Sequence, residues 1–371
     1  MEFSVKRSDL LDELEMTQGV VERKTTIPIL SNLLVEAKGS RLTITATDLE
    51  LSIRTSCDAK VKKEGAGTIP AKKLFELLRL LPEDGEIKFK LQENHWVHIT
   101  SDRRNYKLVG MSKDNFPVLP AFPHAMVKIP ASLLATAIAK TTFAISLEES
   151  RYTLNGALMV LKPGSLAMVA TDGHRLAMVE TDHKFEGFTA ETRVLVPKKA
   201  MTEIQRLVGK AGDDVQVEFA QDESHLFFQV GRRLLTSRKL TGQFPNYEAV
   251  LPRDANKTLS LERVELQDAL RRVSQLADQR SHAVKFMLSN EGLELSSSSP
   301  EYGEAKEVIE KEYKGDTISI GFNAQYLLDF LAAATDGPIS FELKDEQSAG
   351  QLRPTGDEAT RYRYVVMPMR I

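Results

Sequence analysis

The chain carries one pattern three times, at intervals of about 125 residues, and that repetition constrains the fold more than any composition value does. Thr47-Asp48 in RLTITATDLEL recurs as Thr171-Asp172 in SLAMVATDGHRL and, altered, as Ser298-Ser299 in GLELSSSSPEY. A second landmark follows each of these: Pro70 opens PAKKLFELLRLL, Pro197 opens PKKAMTEIQRLV and Asn323 opens NAQYLLDFLAAA. A period of roughly 20 to 50 residues signals a solenoid, whereas a period of domain length means a module duplicated whole, each copy burying its own core. Pro117, Pro120 and Pro123 punctuate one seam, and Pro245, Pro252 and the polar PRDANK stretch mark the other. The expected domains are therefore residues 1–125, 126–256 and 257–371.

Each module reads as two half-modules of similar layout, a strand, a helix, then two or three strands. FSVKR alternates as a strand, and SDLLDELEMTQGVV follows with Leu10, Leu11 and Leu14 at near-helical spacing behind a Ser8 or Asp9 cap. LSNLLVEAK, RLTITAT and LELSIRTS alternate as strands. The layout then repeats, with Pro70 placed near the first turn of the helix over 70–81, where a missing N–H costs nothing. Short strands with hairpin-scale turns and two helices per module give an α+β fold, its helices packed on one face of antiparallel sheets.

Composition excludes several classes. Forty-nine basic against 52 acidic residues leave a formal net charge of −3, so the chain is no polycation, and any nucleic-acid contact must come from local patches. The single cysteine, Cys57, rules out an intrachain disulfide framework and a cysteine-based zinc cluster. MEFSVKRSDLL does not read as a signal peptide, and no apolar run approaches the roughly 18 residues of a membrane span, so a cytoplasmic location is expected. No phosphate loop, dinucleotide fingerprint, nucleophile elbow or HExxH is present. His95 and His98 lie three apart in a strand, on opposite faces, so no metal is expected. One stretch, ATDGHRLAMV, looks like a site: Asp172, His174 and Arg175 read either as acid, base and anion clamp or as a turn with two added side chains. Because the first copy keeps Thr-Asp without the other two, Thr-Asp serves the turn, and any local function belongs to His174 and Arg175.

The three-module layout, ATDLEL, ATDGHRLA, the FPN of QFPNY with its VLP partner, IGFNAQYLLDFL and the terminal YVVMPMRI together resemble the bacterial DNA polymerase III beta subunit family, the sliding clamps, over the whole chain. The resemblance implies a head-to-tail homodimer in which module one of one chain meets module three of the other, forming a ring of six modules around duplex DNA. It implies no catalysis and no cofactor, and a nucleoid-associated protein whose partners are the polymerase III catalytic subunit, the clamp loader, and other polymerases and repair proteins that dock through short linear motifs. A ring holds DNA by topology, so it needs neither sequence readout nor a tight phosphate grip, and near-neutral charge suits it.

On that reading the basic inner wall falls to the helices over 70–81 and 197–211, through Lys72, Lys73 and Arg79 and through Lys198, Lys199 and Arg206. The resemblance adds Lys24 and the loop with Arg151 and Tyr152 as DNA contacts, although Thr153 stands where the family has a second aromatic. It also implies a motif pocket walled by Leu154, Thr171, Gly173, His174, Arg175 and Leu176, then Pro245, Val250, Asn323 and Tyr326, and the tail Val365, Val366, Met367, Pro368, Met369 and Arg370. Ala249, Ser281 and Gln347 depart from the family at the pocket rim. Tyr106 and Leu108, against Leu276, are the expected dimer contacts. Competing readings are a specialised second clamp copy, a non-ring peptide-docking scaffold, and an enzyme built on Asp172, His174 and Arg175.

Overall fold

The computed structural model of the chain describes residues 1–22, 26–210, 212, 214–356 and 360–370. Six helices occur among them: α1 (Arg7–Thr17), α2 (Ala71–Arg79), α3 (Ala131–Ala139), α4 (Lys198–Gly209), α5 (Arg263–Val273) and α6 (Ala324–Ala333). No helix among the described residues is long and apolar enough to cross a membrane. The chain divides into two compact units, Met1–Ala135 with Lys199–Lys239, and Thr136–Lys198 with Leu240–Ile371.

The first unit holds two antiparallel sheets. One has five strands in the order Lys60–Lys63, Glu2–Lys6, Glu86–Leu91, Trp96–Ser101, Arg104–Val109. The other has eight, in the order Val127–Pro130, Gln216–Gln221, His225–Val230, Arg233–Arg238, Leu51–Asp58, Arg41–Thr47, Asn32–Lys38, Gly65–Pro70. Alternation decides which faces are buried: Phe3 and Val5 point into the core, as do Val97 and Ile99, while their neighbours face outward. Leu10 and Leu14 of α1 and Leu74 and Leu78 of α2 complete that core. The second unit is built alike, with an eight-stranded sheet in the order Thr192–Pro197, Gly156–Lys162, Ser165–Thr171, Arg175–Asp182, Thr360–Val366, Gly350–Pro354, Pro338–Leu343, Lys257–Glu262 and a four-stranded sheet in the order Gly303–Ile309, Gly292–Ser299, Ala283–Ser289, Ile318–Asn323.

The half-modules trade strands. Glu2–Lys6, which leads the first half of its module, pairs with Glu86–Leu91 of the second half, while Gly65–Pro70 pairs back with Asn32–Lys38. The same exchange joins Val127–Pro130 to Gln216–Gln221 and Thr192–Pro197 to Gly156–Lys162. It also joins Lys257–Glu262 to Pro338–Leu343 and Ile318–Asn323 to Ala283–Ser289. Each of these six leading strands runs directly into a helix.

That junction shifts the helix starts read from sequence. Pro70 is the last residue of its strand, with ψ at 114°, so it is extended and caps α2 from outside. At α1 the cap is Lys6, not Ser8 or Asp9. Continuity from strand to helix supplies what a capping side chain would have: the Arg7 backbone N–H donates to the Gly85 carbonyl (2.9 Å), and the Arg7 guanidinium donates to the carbonyls of Leu78 and Arg79. At α6 a side-chain cap of the expected kind is present: the amide oxygen of Asn323 accepts from the backbone N–H groups of Gln325 and Tyr326.

Candidate functional site

The Thr-Asp turns are built alike in the first two copies. Thr47 Oγ1 donates to the Leu51 carbonyl and accepts from Leu49 N, and Asp48 Oδ1 accepts from the N–H groups of Glu50 and Leu51. Thr171 Oγ1 does the same with Arg175 O and Gly173 N, and Asp172 Oδ1 with His174 N and Arg175 N. The third residue of each turn is left-handed, at φ 80° for Leu49 and 91° for Gly173, which is why glycine suits the second copy. In the third copy Ser299, rather than Ser298, takes the threonine's place: it ends its strand and its Oγ accepts from Glu301 N.

What the second copy adds is a lock made by Arg175. Its Nε donates to Asp172 Oδ2 (3.0 Å), Nη1 to Asp329 Oδ2 on α6 (2.6 Å) and Nη2 to the Phe143 carbonyl (2.7 Å). The guanidinium also lies over the Tyr326 ring at 4.3 Å and near the Phe143 ring at 5.6 Å. Burial opposes the charge, but the Asp329 and Asp172 carboxylates outweigh it and raise the pKa, so the group stays a cation. Tyr364 lies fully buried beneath, stacked on Phe330 at 4.9 Å with its hydroxyl donating to Tyr326 O, and burial pushes its phenol up. Asp172 thus spends its carboxylate on two backbone donors and Arg175.

Beside this lock lies a cavity of about 130 Å³ lined by Leu154, Thr171, Gly173, His174, Arg175, Leu176, Pro245, Tyr247, Val250, Val365 and Met367. Its floor belongs to an apolar cluster of Leu158, Val169, Leu176, Tyr247 and Val365, with Leu240, Phe244 and Leu251 packed against it. Pairing of Arg175–Asp182 with Thr360–Val366 brings the turn and the tail side by side, and Met367 N donates to His174 O (2.9 Å). The tail continues along the neighbouring sheet, where Met369 N donates to Gly321 O. Val366 is fully buried and does not face the cavity, and Pro368, Met369 and Arg370 lie beyond its wall. Asn323 and Tyr326 also stand outside the lining: Asn323 caps α6 and donates to Ser281 O, and Tyr326 backs Arg175. Tyr247, in the QFPNY segment, is the wall residue the sequence reading passed over, and Phe143 and Asp329, which hold Arg175, carried no local signal.

The candidate DNA contacts are more heavily paired than a charge sum along one helix indicates. Lys72 and Lys73 are largely exposed and share Glu76 at 3.8 and 3.2 Å. Arg79 lies over the Phe75 ring. On α4, Lys199 pairs with Asp48 and Arg206 with Glu203 and the Glu15 carbonyl, and Lys210, just past its end, pairs with Glu15. Burial and then Arg175 lower the Lys198 pKa. Arg151 pairs with Glu148 and donates to Asp172 O, so it braces the Thr-Asp turn, whereas Tyr152 is exposed. Lys24 lies outside the described residues. Tyr106 and Leu108 are half-buried on Arg104–Val109, which is an edge strand, and Leu276 is half-buried in the turn Ser274–Leu276.

Three family descriptions match in sequence order: DNA polymerase III beta subunit N-terminal domain over residues 1–120, central domain over 128–246, and C-terminal domain over 248–370. The chain is 34% identical to the beta sliding clamp of Pseudomonas aeruginosa and 36% identical to that of Caulobacter vibrioides, in both cases over the whole of each protein. Among solved structures, the DNA polymerase III subunit beta of Pseudomonas aeruginosa superposes with a TM-score of 0.94 at 34% identity, and the pol III beta of Caulobacter crescentus with 0.93 at 34%, each covering both chains fully.

Proposed function

The chain belongs to the DNA polymerase III beta subunit family, and from that membership we propose that it is the sliding clamp of a DNA polymerase III, a non-catalytic processivity factor that encircles duplex DNA. Three modules over 1–125, 126–256 and 257–371 make half of the ring, and a second copy closes it head to tail. Two strand edges that are unpaired among the described residues support the closure. Arg104–Val109 ends the five-stranded sheet and Gly303–Ile309 ends the four-stranded one, and a bare edge is a template for pairing with another chain. The first carries Arg104 and Lys107, the second Glu304 and Glu307 against Lys306, with Glu307 already paired with Arg272, so a basic edge meets a mildly acidic one. Tyr106, Leu108 and Leu276 supply the apolar part of that contact.

The observation that carries the docking role is the cavity beside Arg175, an apolar recess whose walls come from a turn, a linker and the C-terminal tail. It takes a leucine or phenylalanine anchor of an extended motif, each fully buried anchor contributing about 1.5–3 kcal/mol. Motifs of the polymerase catalytic subunit, the clamp loader and repair proteins dock there. Lys72, Lys73, Arg79, Arg151, Tyr152, Lys198, Lys199 and Arg206, together with Lys24, are the proposed contacts to the duplex, and the protein works in the cytoplasm at the nucleoid. Protein loaded on nicked circular DNA is retained until the circle is linearised; equal retention on circle and line refutes the ring.

A further inference from the structure

A second groove, of about 380 Å³, lies in the first unit, lined by Arg41, Arg54, Phe122, Gln229, Arg232 and Leu234 among others. Its floor is the outer face of the eight-stranded sheet. Thr45 pairs with Arg54, Arg54 with Leu234, and Leu234 with Gln229, so these side chains share one face in a single cross-strand row. Phe122, from the linker between the first two modules, packs edge-on against Phe227 of that face at 6.1 Å. The motif cavity arises in the same way in the second unit, where linker residues Pro245, Tyr247 and Val250 lie against the corresponding strands.

The two grooves differ in chemistry. Met178 pairs with Arg363 and packs into the apolar cluster beneath the second linker. Arg54 holds the equivalent place after its own Thr-Asp turn, and it is exposed. Neither Arg41 nor Arg54 has an ion pair or side-chain hydrogen bond among the described residues, whereas Arg232 is paired with Asp58 at 2.9 Å. An unpaired guanidinium beside an apolar surface is a fork waiting for a carboxylate or phosphate. Arg41 lies four residues along its strand from Thr45, the partner of Arg54, which sets the two arginines about 13 Å apart along the strand direction. Two acidic side chains four apart in an extended peptide have that same spacing. Glu36 lies in the row through Thr43 and Ser56, and Glu218, itself paired with Lys128 at 3.2 Å, follows Gln229 in the row of Arg54, so a continuous polyanion crossing the face would meet Glu36.

We propose that Arg41, Arg54 and Phe122 form a second docking groove, one that takes a short acidic, extended peptide segment of a partner protein with an apolar side chain seated against Phe122 and Leu234. This goes beyond the clamp reading and stands without it.

The test uses full-length protein and a fluorescein-labelled nonapeptide with aspartates at its third and seventh positions and a leucine at its fifth, followed by anisotropy at low salt. Saturable binding is expected, weakened at least tenfold when asparagines replace both aspartates, and weakened as much by the double change Arg41→Ala and Arg54→Ala. Arg54→Gln alone gives part of that loss, and thermal unfolding together with binding of a leucine- and phenylalanine-anchored peptide at the motif cavity stays unchanged in both variants. Absence of saturable binding, equal binding by the double variant, or displacement of the probe by a single-stranded oligothymidylate that binds more tightly through the same arginines overturns the proposal.

Discussion

Replacing Arg175 by alanine is the sharpest test of how the motif cavity is held. The side chain is 9% exposed and makes charge-assisted bonds to Asp172, Asp329 and the Phe143 carbonyl while covering the Tyr326 ring. Removing one member of a buried ionic cluster costs about 3–5 kcal/mol, because its partners stay behind uncompensated. Two features pull the cost to the lower end. Asp172 keeps its backbone donors at residues 174 and 175, and Asp329, whose side chain is 26% exposed, keeps Gln325 Nε2 and some water. The expected loss is about 3 kcal/mol, confined to the second unit. At about 2–4 °C per kcal/mol for a body of this size, unfolding of that unit moves down by ~6–12 °C. Arg175→Lys keeps the charge without the planar fork and recovers at most half. In the same variants a fluorescein-labelled peptide with leucine and phenylalanine anchors binds at least tenfold more weakly, since Arg175 and the turn it holds form one wall. His174→Ala, at an exposed position, stays within about 0.5 kcal/mol of the parent. A loss below about 1 kcal/mol for Arg175→Ala, with unchanged peptide affinity, refutes the lock.

Asn323→Ala removes both cap bonds of α6 and costs about 1–2 kcal/mol by urea unfolding, with Asn323→Asp recovering most of it. Glu342 is buried; burial opposes its charge, but Arg353, Gln351 and Ser340 hold its carboxyl below the ordinary carboxylate range. A depressed folded pKa contributes stability that is present above the unfolded value and is lost as pH falls through the folded one. Glu342→Gln therefore destabilises at neutral pH, and its difference from the parent shrinks as pH falls below about 4.3; a difference constant from neutral to acid pH contradicts the assignment. Deleting residues 367–371 removes Met367 from the cavity wall and the bond from its N–H to His174 O, so peptide binding is lost while the dimer persists in light scattering.

Local chemistry made much of this legible. Alternation located the strands because burial of one sheet face requires it. Thr-Asp marked the turns because its two side chains satisfy the turn's own N–H groups, a bond pattern closed within five residues. The tail and the 171–176 segment were legible only as a resemblance, since nothing local in MPMRI says that it borders a cavity.

Pairings between residues far apart in sequence were closed to that reading. The exchange of leading strands between half-modules depends on which edges meet once helices cover one face. Reading the helix over 197–211 as a basic wall left out Asp48 and Glu15, which reach it from other elements. By itself the sequence determined three copies of an α+β module, the helix and strand alternation and the turns, because those rest on contacts a few residues long. Only the tertiary structure decided that Arg175 serves as a clasp, that Tyr247 joins the wall, and that one linker borders an apolar recess and the other a basic one. Each of those depends on side chains brought together across more than a hundred residues, in Arg175–Asp329 as in Arg54 beside Leu234.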